Sequence, residues 1–104
     1  MTENEIELKA IAALTALRGG VGTDYASELL GEVVPDYFVV PADADANGVG
    51  LAVLSQLSKP LSALITGFVL AFEAVADRYD ASAPEIPTEQ LLQVLALELA
   101  AESE

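Results

Sequence analysis

Cysteine, histidine and tryptophan are absent from the chain, and four basic residues stand against seventeen acidic ones. Without cysteine there are no disulfides, no thiolate metal sites and no thiol nucleophile. Without histidine the commonest general base and the commonest transition-metal ligand are both missing. The cations are Lys9, Arg18, Lys59 and Arg78 alone, so no basic patch exists to meet phosphate and direct nucleic-acid binding is not expected. Catalysis would be left to carboxylates, hydroxyls and these few cations, and the expectation is a non-enzymatic protein with no cofactor. Long apolar runs are scarce as well. The longest, Leu61 to Ala76, is broken by Gly67 and Glu73 and falls short of the roughly 20 residues of a membrane span; it reads as a buried core helix. The acidic stretch Met1 to Glu7 lacks the basic and apolar regions of a secretory signal, which points to the cytoplasm or the interior of a virus particle.

What is present is a formal charge of -13 on a chain that is 53% hydrophobic. A weakly apolar chain of that charge would be disordered, but this one has enough apolar residues for a core, so the acids belong on the outside of a folded body. Its 104 residues predict one domain, 1–104, near the lower limit for stability without staples.

Four helices are expected. Thr2 and Glu5 have the capping-box spacing, and Ile6, Ala10, Ala13, Leu14 and Leu17 recur at helical intervals, predicting a helix over Glu3 to Arg18 that ends at Gly19-Gly20. Thr23 or Asp24 can cap a second helix that Pro35 stops. This pair is not a DNA-reading unit, because its second helix carries Asp24, Glu28 and Glu32 and no cation. Tyr37 to Val40 is bracketed by prolines and reads as an extended segment crossing the helices, with Tyr37 and Phe38 as plugs. The residues after Gly50 suit a short helix of their own. Ser58, Lys59 and Pro60 then mark the start of a third long helix, with proline in its first turn. On that helix Leu61, Ile65, Phe68, Phe72, Val75 and Tyr79 form an apolar seam of 3.5-residue period, expected to face the core. After a loop over 80–87, Thr88 caps a fourth helix running to about Glu102. The predicted fold is an all-α compact bundle of about four helices with an irregular, partly extended middle segment.

Three places are candidate sites. Asp43, Asp45, Asn47 and Gly48 match the first half of an EF-hand loop, with oxygen ligands at positions 1, 3 and 5 and the turn glycine at 6. Position 12 is Leu54, so the bidentate glutamate is missing, and weak binding of calcium or another cation is the strongest reading that remains. Ala63, Gly67 and Ala71 place small residues every four positions and let another backbone approach, within the chain or from a partner. The fourth helix is apolar almost all round; Leu92, Leu95 and Leu99 are assigned to the core, and Val94 and Leu97 to contact with a partner or a second copy. Glu73 is off the seam and expected in solvent. Ser55, Ser58 and Ser62 have no histidine to activate them.

The acids also repeat with like sign at helical spacing: Glu3/Glu7, Asp24/Glu28, Glu28/Glu32, Glu73/Asp77 and Glu98/Glu102, against the one opposite pair Glu5/Lys9. Each like pair costs about 0.2–0.5 kcal/mol at low salt. Glu98, Glu102 and Glu104 crowd a helix C-terminus, where the dipole disfavours anions. This composition resembles that of proteins from salt-loving microbes and their viruses, whose acidic surfaces stay hydrated in concentrated cation. The functional expectation is an acidic, non-catalytic helical component of protein interaction or assembly that acts as an oligomer. The alternative is an acidic inhibitor or nucleic-acid mimic occupying a basic groove.

If this repulsion is as unrelieved as the pattern implies, the melting temperature will rise between low and molar salt by more than that of a helical control with a neutral surface. An unchanged melting temperature would show that the acids do not repel one another in the folded state.

Overall fold

A computed structural model describes residues 1–102 of the chain; Glu104, one of the three acids assigned to the last helix end, lies outside them. Four helices follow in order, α1 (Glu3–Arg18), α2 (Thr23–Gly31), α3 (Ala46–Ala81) and α4 (Thr88–Glu102). No strand occurs among the described residues. The chain falls into two compact units, Met1–Leu70 and Ala71–Glu104.

In the first unit α1 forms where its local chemistry places it. The Thr2 hydroxyl accepts the Glu5 N–H at 3.1 Å, and the Glu5 carboxylate accepts the Thr2 N–H at 3.4 Å, completing the capping box. Its far end closes through the glycines: Gly20 takes a φ of 83°, the Val21 N–H reaches the Ala16 carbonyl, and the Gly20 N–H reaches that of Leu17. That pairing satisfies two terminal carbonyls and needs a residue free of Cβ at position 20. The cap of α2 differs from expectation. Gly22, with a φ of 89°, is the N-cap and offers no side-chain bond, while Thr23 is already helical.

The extended segment after α2 is held by one side chain. The Gln56 amide accepts the Val39 N–H at 2.8 Å and donates to the Val39 carbonyl at 2.6 Å, pairing both backbone groups as a neighbouring strand would. Tyr37, expected as a plug, is 79% exposed, and Phe38 is half-buried. The helix that carries Gln56 does not stop before Pro60. α3 is one continuous element with Pro60 inside it, not a short helix followed by a long one. Proline in a helix interior removes its own N–H bond and crowds the carbonyl four residues back, here that of Gln56, at a cost of about 3 kcal/mol, and helical residues on both sides carry the element through.

Packing departs most from the sequence pattern. Ile6 of α1, Val33 after α2 and Ala63 of α3 form the buried cluster, with Leu64 against it. Among the described residues five of the seven buried apolar ones are alanine, and no side chain is both large and fully enclosed. The expected seam is not the covered face. Leu61, Ile65, Phe72, Val75 and Tyr79 are all exposed, Ile65 by 62%, and Phe68 is half-buried. The covered face of α3 in this unit holds Ala63 and Gly67, the small-residue row. The reason is steric. α1 approaches so closely that a Cβ built on Gly67 would lie 2.8 Å from Ala10 Cβ and 2.9 Å from Glu7 Cα, and large side chains cannot occupy such a crossing.

Among the described residues the ion pair is Lys9 with Glu32, which ties α1 to the end of α2; Lys9 selects Glu32 across space rather than Glu5 one turn away. In the second unit the connection from α3 to α4 is pinned at both ends. The Tyr79 hydroxyl donates to the Ile86 carbonyl at 2.7 Å, and the Asp80 carboxylate accepts the Thr88 N–H at 2.8 Å and the Thr88 hydroxyl at 3.0 Å. Asp80 therefore supplies the anion for the positive end of α4, where Thr88 was expected to be the cap.

Gly67→Ala will cost about 1–3 kcal/mol in a denaturant titration, because rigid neighbours must shift to admit the methyl group. Gly50, with nothing within 4 Å of its built Cβ, serves as the opposite case: Gly50→Ala will stabilise by up to about 1 kcal/mol through helix propensity. Equal effects of both changes would disprove the tight crossing.

Candidate interaction surface

The motif Asp43, Asp45, Asn47 is not an open loop. Asn47 and Gly48 already belong to the first turn of α3, and the Asp45 carboxylate accepts the Gly48 N–H at 2.8 Å. This is the N-cap bond, in which a carboxylate satisfies the donor three residues on and meets the positive helix end. Gly48 suits the position, since a Cβ there would lie 3.3 Å from the Asp45 carboxylate oxygen. Asp43 precedes the helix and is exposed. Among the described residues no group of three or more Asp, Glu, His or Cys side chains could hold a metal ion.

Two shallow concavities open on the first unit. One, of about 190 Å³, is lined by Glu3, Glu7, Lys59 and the hydroxyls of Ser58, Ser62 and Thr66; the other, of about 460 Å³, lies between Ile6, Val33, Gln56 and Pro60. Among the described residues no buried side-chain oxygen or nitrogen lacks a partner, so neither hollow presents an enclosed polar group waiting for a ligand.

The larger feature is apolar surface. Ala63 and Gly67 are covered by α1 of the same chain, and Ala71 is half-buried; the close approach that the small residues permit is thus made, at the first two, within one molecule. α4 is the reverse case. No residue of α4 is buried. Val94 and Leu97, assigned to a contact face, are 46% and 71% exposed, but Leu92, Leu95 and Leu99, assigned to the core, are 47%, 50% and 57% exposed. The uncovered surface of this helix therefore includes every large apolar side chain from Leu91 to Leu99. Scattered apolar residues are ordinary on a surface, but a contiguous group on one element marks a contact region. Sequence periodicity identified the excess of apolar residues on α4; it carried no signal for which of them a neighbour would cover.

α3 is also largely uncovered. It is long and apolar enough to cross a membrane by length and composition, with a mean hydropathy of 1.5 over its most apolar window, and only 11% of that window is buried. Lys59 divides it, leaving uncharged runs over 46–58 and 60–72. Each is about 20 Å long at the helical rise, against about 30 Å for the hydrocarbon core. Glu73 and Asp77, both exposed, follow the second run.

Asp45→Ala will lower stability by about 1 kcal/mol in chelator-containing buffer through loss of the cap, and Asp43→Ala will leave it unchanged. Thermal melts with and without millimolar calcium check this: a loss shared by both variants and present only with calcium would identify a cation site in place of a cap. No known family model, curated protein or solved structure matches this chain.

Proposed function

We propose that the protein is a non-catalytic interaction or assembly component, whose fold is completed by another polypeptide. The observation that carries this reading is the inverted distribution of apolar side chains. The first unit buries mostly alanine, while Leu, Ile, Val and Phe side chains of α3 and all those of α4 stay in contact with water. Burying a Leu or Ile side chain yields roughly 1.5–3 kcal/mol, and a methyl group about 0.8 kcal/mol. Most of the chain's available hydrophobic free energy is therefore unspent in the isolated molecule and is realised on association.

The chemistry of the site agrees with a binding role. Carboxylates dominate, no histidine or cysteine is present, and the hydroxyls of Ser58 and Thr66 are engaged with backbone carbonyls one turn back. The acidic surface supports residence in a cation-rich cell or particle, where bound cations screen the repulsion.

The isolated chain will bind an apolar dye such as anilinonaphthalene sulfonate while its far-ultraviolet circular dichroism remains fully helical. A dye-silent, monodisperse monomer that melts cooperatively would refute the reading.

A further inference from the structure

The second unit has fewer residues than the roughly 40 at which a chain ordinarily needs disulfides, a metal or association to hold its fold. Cysteine is absent, no metal cluster occurs among the described residues, and none of residues 71–102 is buried. The packing within the unit therefore leaves its apolar side chains uncovered, and the distribution of charge indicates the kind of partner that would cover them. Leu91, Leu95, Glu98 and Glu102 lie on one stripe of α4, apolar in its first half and acidic in its second, since their spacings of four, three and four residues follow the helical period. Val94 on one side and Leu99, one turn beyond Leu95, on the other widen the apolar half, while Leu97 lies well round the helix from it. The last turn of α4 holds no basic residue, so the negative end of the helix dipole adds to the two carboxylates. Arg78 is the one cation in the sequence of this unit.

We infer that α4 docks a basic amphipathic helix of a different protein, its apolar stripe on Leu91, Val94, Leu95 and Leu99 and its Lys or Arg residues at the Glu98–Glu102 end. This deepens the interaction reading above and rests on it. A second copy is disfavoured by charge in either orientation. Parallel pairing sets Glu98 and Glu102 against themselves, and in any orientation each copy brings a formal charge of -13. A lipid surface is disfavoured because an interfacial helix takes Lys and Arg on its polar face, and α4 has neither. A basic helix satisfies both demands: it covers the leucines and supplies the cations that the unit lacks.

The test uses the full chain and three fluorescent helical peptides read by anisotropy. One carries a leucine stripe flanked by lysine, one the same stripe flanked by glutamate, and one lysine with glutamine replacing the leucines. The leucine–lysine peptide should bind roughly tenfold or more tightly than either of the others, and its affinity should fall steeply with salt. Leu91→Gln with Leu95→Gln should weaken it by roughly tenfold, and Leu8→Gln on the first unit should not. Glu98→Gln with Glu102→Gln should flatten the salt dependence; being a surface change, it keeps the test decisive even if the apolar double variant fails to fold. Equal binding of the leucine–glutamate peptide would overturn the choice of a basic partner while leaving the interaction reading intact. Equal binding of the leucine-free lysine peptide would overturn it in favour of acidic mimicry. A dimer that strengthens with salt and is lost in Leu91→Gln/Leu95→Gln would assign the face to a second copy, and co-flotation of the chain with phosphatidylcholine vesicles would assign it to lipid. Binding of no peptide by a dye-silent chain would sink both readings together.

Discussion

The close crossing of α1 over α3 at Gly67 is the constraint on which the first unit depends. Two helices can approach until a missing Cβ becomes a requirement only where small groups meet, and here Ala10 and the Glu7 backbone of α1 meet Gly67 of α3, while Ala63 one turn back is buried with Ile6. Such a contact gains dispersion energy over many short atom pairs and little from removing large apolar groups from water. It also fixes the rotation of both helices. Once the Ala63–Gly67 face of α3 is turned inward, Leu61, Ile65 and Phe72 on its other faces are turned out. Exposure of the large side chains is the geometric consequence of choosing the small ones for the core.

Much of the helical framework was legible in the sequence because its signals are local. The Thr2–Glu5 box, the Gly19–Gly20 ending and the Pro84–Pro87 loop each act within a few residues, and the first and last helices begin and end close to where these signals place them. Pro60 shows the limit of a local rule: Ser58, Lys59 and Pro60 satisfy the pattern of a helix start, but proline in the first turn and proline inside a continuous helix share the same neighbours. Aspartate before glycine is ambiguous in the same way. Asp45 and Gly48 fit half of a cation loop and also a helix N-cap, and the choice depends on whether the chain beyond is helical, which it is.

Less legible was the assignment of faces. Periodicity states which residues share a face, and it correctly groups Leu61, Ile65 and Phe72, but it carries no information about which face another element will cover. The usual inference, that the larger apolar face is the inner one, fails where the neighbouring helix is itself lined by alanine. For α4 the pattern was apolar on nearly every side, and its division into a core half and a contact half had no physical basis in the spacing. The Gln56–Val39 pairing was out of reach for a different reason: a side-chain amide standing in for a β-strand links residues seventeen apart, and no periodic signal marks it.

The two properties that seem opposed in this chain, high acidity and high apolar content, have a common physical consequence at its surface. Uncovered leucine and valine side chains promote indiscriminate association, and a net charge far from zero opposes it by repulsion between like molecules. That repulsion falls off within about 8 Å at physiological ionic strength, so it resists the approach of a second acidic chain while leaving a cationic one attracted. The carboxylates that weaken each helix through like-charge pairs thus also discriminate among the molecules that can reach the apolar faces. In this chain the cost to local stability and the gain in selectivity arise from the same side chains, with Glu98 and Glu102 on α4 the plainest case: they repel one another at i,i+4, they face an unfavourable helix end, and they stand beside the leucines that have no cover.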